Sequence, residues 1–197
     1  MMGIFLIGAA FAVLISSVQK SAAQGSQLLK ELGNKWGLEY QPSPTLGCPE
    51  LKGIYKSHHI LFQIWPSKAK GDSPVRKRLV VSIEVAFDGI IRICRRNGVS
   101  HMDMVGTKPL KTGDPMFDAK FLTSATDHEL TRSVLTQEVR GCLTQIQETE
   151  VCISSNQVRI YGEGPAITET EVNQWLETAI RIGDRMQVIL GGESKKT

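Results

Sequence analysis

The sequence is short of nearly everything that marks a catalytic or metal-binding chain. Histidine occurs only as His58, His59, His101 and His128, and cysteine only as Cys48, Cys94, Cys142 and Cys152. No two cysteines stand in Cys-x-x-Cys spacing, which removes the usual support for a zinc site or thioredoxin-like exchange. His58 and His59 are adjacent, and neighbours on a strand point to opposite faces, so the two cannot chelate one ion together. His101 and His128 have no ligand-spaced partner. There is no His-Glu-x-x-His, no phosphate loop and no Gly-x-Ser-x-Gly. A net charge of +3 over 197 residues is a weak basic excess for a nucleic-acid binder, which would also carry a recognisable motif. No metal, cofactor or nucleic-acid partner is therefore expected.

Charge is also missing from the first nineteen residues. Met1 to Gln19 has no charged side chain, and Ile4 to Val18 is mostly Ile, Leu, Phe, Val, Ala and Gly. A span needs about 20 apolar residues, with roughly 17 as the short limit, so this run predicts a marginal single anchor. No Lys or Arg precedes it while Lys20, Lys30 and Lys35 follow, which places the following domain in the cytoplasm. The rival is a cleaved signal peptide, making the rest secreted or periplasmic. Ser21-Ala22-Ala23 suits a signal peptidase, but the basic n-region is absent. The bland reading is a buried soluble helix, which the lack of an amphipathic period disfavours.

What the chain does have is an ordinary globular balance, 41% hydrophobic and 22% charged, enough for one cored domain of residues 25–190. Ser26 opens a short helix with Leu28 or Leu29, Leu32 and Trp36 at helical spacing, and Gly37 suits its left-handed C′ position. Gln41 to Pro49 reads as a loop. Leu51 to Lys56 and His59 to Trp65 make a hairpin about Ser57-His58. Leu79, Val81, Ile83, Val85 and Phe87 alternate with Val80, Ser82, Glu84 and Ala86, as on a strand with one apolar face. Asp88-Gly89 is a tight-turn pair, so Ile90 to Arg96 is expected to return as the partner strand of an antiparallel meander closed by Asn97-Gly98.

Later, Thr126 to Glu129 is a capping-box pattern ahead of a helical stripe, Leu130, Val134, Leu135, Val139, Cys142, Leu143 and Ile146, running to about Gln147. Glu150 to Ser154 and Gln157 to Tyr161 read as two strands about Ser155-Asn156. A second capping box, Thr168 to Glu171, opens a last helix with Val172, Trp175, Leu176, Ala179, Ile180, Gly183, Met186 and Leu190 on its apolar face. Gly191 to Thr197 reads as a loose polar tail. The cysteines on these elements read as small buried hydrophobes, with a disulfide as the rival.

Two constellations could bear on function. Arg76, Lys77 and Arg78 end the polar stretch from Pro66, and Arg92, Arg95 and Arg96 follow on the neighbouring strand. The six could gather on one rim and meet an anionic leaflet, each contributing about 1 kcal/mol; the bland reading is a solvated loop and scattered arginines. The second is Thr112 to Phe121, which joins the strand-rich half to the helical half. Asp114 suits an N-cap with Pro115 at the first helical position, and Phe117 and Phe121 share a face. Asp118 could be a ligand or general base, but no histidine, cysteine or second acidic cluster is spaced to complete a site.

The string Thr112-Gly113-Asp114-Pro115-Met116-Phe117-Asp118-Ala119-Lys120-Phe121 resembles the signature of an uncharacterised bacterial family of membrane-anchored domains. Ser133 to Arg140, Trp36 to Tyr40 and Leu51 to Lys56 are similar in style. The resemblance implies a membrane-anchored domain and carries no catalytic residues with it.

The sequence thus predicts an α+β fold, a largely antiparallel sheet with helices on one face, after one N-terminal transmembrane segment. Two function classes follow. One is a non-catalytic tethered domain binding a protein, peptide or anionic lipid surface as scaffold or sensor. The other is a hydrolase-type enzyme assembled from separated residues such as Asp114, Asp118, His101 and Glu84.

Overall fold

Two long strands make the spine of the molecule. The computed structural model describes residues 25–42, 49–66, 75–96, 106–146, 149–164 and 167–193. Among these, β4 (Val75–Arg95) pairs along nearly its whole length with β7 (Thr149–Gly164), antiparallel. On the other edge of β4, β3 (His58–Pro66) takes the first half and β6 (Phe121–Ala125) the second. The sheet extends outward through β2 (Glu50–Tyr55) and β1 (Glu39–Gln41) beyond β3, and through β5 (Lys108–Leu110) beyond β6. All seven described strands pair antiparallel, and with five helices among the described residues the fold is α+β.

The spine departs from the expected meander. Asp88-Gly89 does not reverse the chain; β4 runs through it as one 21-residue strand. Its halves pair with β7 rather than with each other. Ser82 faces Gln157 and Ile90 faces Ser154, so eight steps along β4 match three along β7, and five extra residues bulge out. The bulge is closed by Thr126, whose hydroxyl accepts from the Ile90 amide at 2.9 Å and whose amide donates to the Ile90 carbonyl at 3.0 Å. The Phe87 ring lies where a side chain on Gly89 would stand. Ser155-Asn156 is likewise no hairpin turn: β7 passes through it as one 16-residue strand, bent where Ser155 takes a φ of 56°.

The helices lie on one face of this sheet. α1 (residues 25–36) ends at Gly37, whose φ of 68° makes it the left-handed C′ residue, and the Leu38 amide donates back to the Gly33 carbonyl. It buries Leu29 and Leu32. α2 (Pro115–Lys120) is one short turn before β6. The single helix expected after Thr126 is two: α3 (His128–Val134) and α4 (Gln137–Gln145). The break falls at Leu135, with a ψ of 56°, and Thr136 restarts the helix by accepting from the Val139 amide at 3.3 Å. The apolar stripe survives the break because Leu135, Val139, Leu143 and Ile146 are all buried. The cap of α3 is Asp127, accepting from the Leu130 amide at 3.0 Å, not Thr126, which the bulge uses.

α5 (Glu169–Glu193) crosses the whole inner face and extends past the Gly191 boundary of the expected tail. Thr168 caps it, accepting from the Glu171 amide at 3.2 Å. Trp175 sits on Phe62 with ring centroids 6.2 Å apart, and Gly183 lets the helix close on Ile83. The core is the inner face of the spine, Leu79, Val81, Ile83, Ile91, Ile93, Val151, Ile153, Val158 and Ile160, covered by these helices. No described helix is long and apolar enough to cross a membrane; residues 1–19 lie outside the described residues, as does the tail from residue 194.

Candidate functional site

The mid-chain acids are held by backbone and by one arginine. Asp114 caps α2, its Oδ1 accepting from the Met116 amide at 3.0 Å and the Phe117 amide at 3.1 Å. Its Oδ2 accepts from Arg140 Nε on α4 at 3.1 Å. The Phe117 amide foremost, then the Arg140 charge, hold the Asp114 carboxyl below its usual range. Asp118 is turned the other way. It accepts from the Thr112 amide at 3.0 and 3.1 Å and from the Thr112 hydroxyl at 2.9 Å, closing the turn ahead of the helix. Phe117 and Phe121 stack with centroids 4.5 Å apart and planes 17° from parallel, worth about 0.5–1.5 kcal/mol beyond their burial. Pro115 occupies the first helical position.

Glu84, grouped with these acids in the enzyme reading, lies elsewhere, at the β4 bulge. There an open cleft of about 600 Å³ is lined by Glu84, Phe87, Asp88, Gly89, Ile90 and residues 154–156 of β7. His101 lies outside the described residues, as does Cys48. No group of three His, Cys, Asp or Glu able to hold a metal occurs among the described residues.

His58 and His59 do point to opposite faces. His59 is exposed, while His58 is buried under α5, its Nε2 2.9 Å from Asp184 Oδ1 and its Nδ1 3.4 Å from the Ser82 carbonyl. Both partners are acceptors, so the ring ties the last helix to β3 and β4. Cys94 and Cys152 are buried on adjacent strands, and burial together with Glu177 pushes the Cys142 thiol up.

The six basic residues do not form one rim. Lys77 points inward and is 3% exposed, pairing with Glu171 of α5 at 2.7 Å under the Trp175 ring. Arg95 also points inward, over the Phe121 ring, and its Nη2 donates to the Thr144 and Ile146 carbonyls at the end of α4. Arg96 donates to the Asp118 carbonyl at 2.9 Å. Arg92 faces outward between Ser124 and Cys152, with buried Nε and Nη1 that find no hydrogen-bond partner among the described residues. The physical reason is the two-residue period: consecutive basic residues on a strand must divide between its faces.

Only Arg76 and Arg78 stand together, on the outer face that carries no described helix. In register they form two rows with their neighbours, Trp65–Arg76–Glu163 and Gln63–Arg78–Tyr161. The Arg78 guanidinium lies 5.9 Å from the Trp65 ring centre. Arg76 pairs with Glu163 at 2.5 Å. Trp65 and Tyr161 were not singled out from the sequence. The signal was present in β7, where Arg159, Tyr161 and Glu163 alternate with buried Val158, Ile160 and Gly162.

No protein-family model matches the chain, and no curated protein matches it. Among solved structures, the fold is similar to the crystal structure of the mycobacterial trehalose monomycolate transport factor A, TtfA. The TM-score is 0.61 at 8% sequence identity, over 83% of this chain and 94% of that one. At that identity the likeness is one of fold.

Proposed function

We propose that the chain is a membrane-tethered, non-catalytic domain that binds a protein, peptide or anionic lipid surface as scaffold or sensor, on the cytoplasmic side. It is a domain of the kind whose signature the Thr112–Phe121 string resembles. The observation that carries the non-catalytic part of this reading is the use of the mid-chain acids. Asp114 and Asp118 spend their oxygens on amides, a hydroxyl and Arg140, leaving neither placed as a general base. An accessory role in transport, the role named for the solved structure whose fold it shares, fits this reading.

The enzyme reading keeps one observation in its favour, the cleft where Glu84 and Asp88 meet Ser154 and Asn156. Amide substitutions separate the two. In cells that depend on the chain, Asp114→Asn, Asp118→Asn, Glu84→Gln and Asp88→Asn are each expected to retain function wherever the variant is folded. Loss of a general acid or base costs about 10²–10⁴ in rate. Abolished function in a variant that melts like the wild type would establish the enzyme instead.

A further inference from the structure

With residues 1–19 as an anchor, the position of Gly25 sets which part of the domain meets the membrane. This inference rests on the tether reading. Gly25, the first described residue of α1, packs so that a Cβ there would meet Ile64 Cδ1 at 3.4 Å and Ile167 Cγ2 at 3.6 Å. That is the end of the sheet where β3 finishes at Pro66, β4 starts at Val75 and β7 finishes at Gly164. Only Lys20 to Gln24 separate Gly25 from the apolar run, a reach of at most about 18 Å fully extended. A bilayer holding residues 1–19 therefore lies close against this end.

The outer face at the same end presents Trp65, Arg76, Arg78 and Tyr161 in two adjoining rows. Tryptophan and tyrosine are the side chains that settle at headgroup depth, and arginine binds phosphate through a planar fork. The Arg78–Trp65 stack joins the two chemistries in one unit. Lys77 and Arg159 do not join the strip: Lys77 is held beneath α5, and Arg159 is turned to Gln157 and Ser154 at the strand bend. We propose that Trp65, Arg76, Arg78 and Tyr161 form a docking strip for an anionic lipid surface, which seats the domain on the leaflet it is tethered to. Glu163, paired with Arg76, opposes that attraction and sets its strength.

The test uses the full chain, carrying Trp36→Phe, reconstituted into phosphatidylcholine vesicles with or without phosphatidylserine. Trp175 is buried and gives a constant background, so quenching by lipids brominated near the headgroup reads Trp65. Quenching is expected to require phosphatidylserine, to fall with salt, and to vanish in Trp65→Phe. For each of Arg76→Gln and Arg78→Gln, binding to the anionic surface should weaken by about fivefold. Glu163→Gln should strengthen it, which a merely structural role for the pair would not do. Equal quenching in neutral and anionic vesicles, with the chain resisting carbonate extraction, overturns the docking strip and leaves the tether standing. Release by carbonate overturns the tether alone. The strip then stands or falls on the same Trp65 signal with chain added to preformed anionic vesicles.

Discussion

Arg140 on α4 donates from Nε to Oδ2 of Asp114, the N-cap of α2, at 3.1 Å. The same guanidinium also hydrogen-bonds the Leu135 carbonyl, left open where α3 stops. One side chain thus joins the cap of the junction helix to the break between the next two.

The charge on Asp114 is expected to show in the acid limb of stability. Its folded carboxyl lies below the ordinary value of 3.8, so its contribution is complete above that value and is lost as pH falls through the folded one. Asp114→Asn keeps an oxygen for the two amides but no charge for Arg140. Urea melts across pH should find the variant less stable near neutrality, with the gap closing below pH 3.8. A gap that does not change with pH would show that the charge is not what the cap contributes.

Gly89→Ala should be costly although Gly89 needs no special backbone angle. Its new methyl would meet the Phe87 ring and stand 2.7 Å from Thr126 Oγ1, the group that closes the bulge. Overpacking of this kind costs about 1–3 kcal/mol, measurable as a lower urea midpoint at unchanged slope.

The buried pair between Lys77 and Glu171 should behave as a unit. Glu171→Gln leaves an ammonium that is 3% exposed facing a neutral amide, and a loss of about 1.5–3 kcal/mol is expected. Lys77→Met together with Glu171→Gln should cost less than the two single changes added. A double-mutant cycle that sums without coupling would place the strength of this contact elsewhere, in the packing of α5.

Thr136→Ala removes the hydroxyl that restarts the helix after Leu135. The expected loss is about 1 kcal/mol, typical for an N-cap, read as a drop in melting temperature. Thr126→Val, by contrast, should act on the β4 bulge and not on α3, because Asp127 caps that helix.

What was legible in the sequence was local. α5, with Thr168 at its start and Trp175 and Met186 on its stripe, follows from periodicity and capping alone, and so does the short turn of Asp114, Pro115 and Phe117. What was not legible depended on partners far away in the chain. Asp88-Gly89 shows that the backbone can turn, not that it does; β7, about sixty residues on, supplies a continuous partner that carries β4 straight through. The three-residue strands β1 and β5 are too short for any alternation to register. The basic residues misled for a related reason, since their number was visible while their division between the two faces awaited the register. Leu135 escaped notice as a helix break because it is apolar and buried, which keeps the stripe intact through the kink.

The tether is the premise beneath the proposed function and the placing of the docking strip on the leaflet it is tethered to, and carbonate extraction of cell membranes carrying the full-length chain tests it most directly. The chain is predicted to stay in the pellet at its intact mass, with residues 1–19 retained. Intact chain recovered in the soluble fraction, or a chain shortened near Ser21 to Ala23 and found outside the cytoplasm, would contradict it.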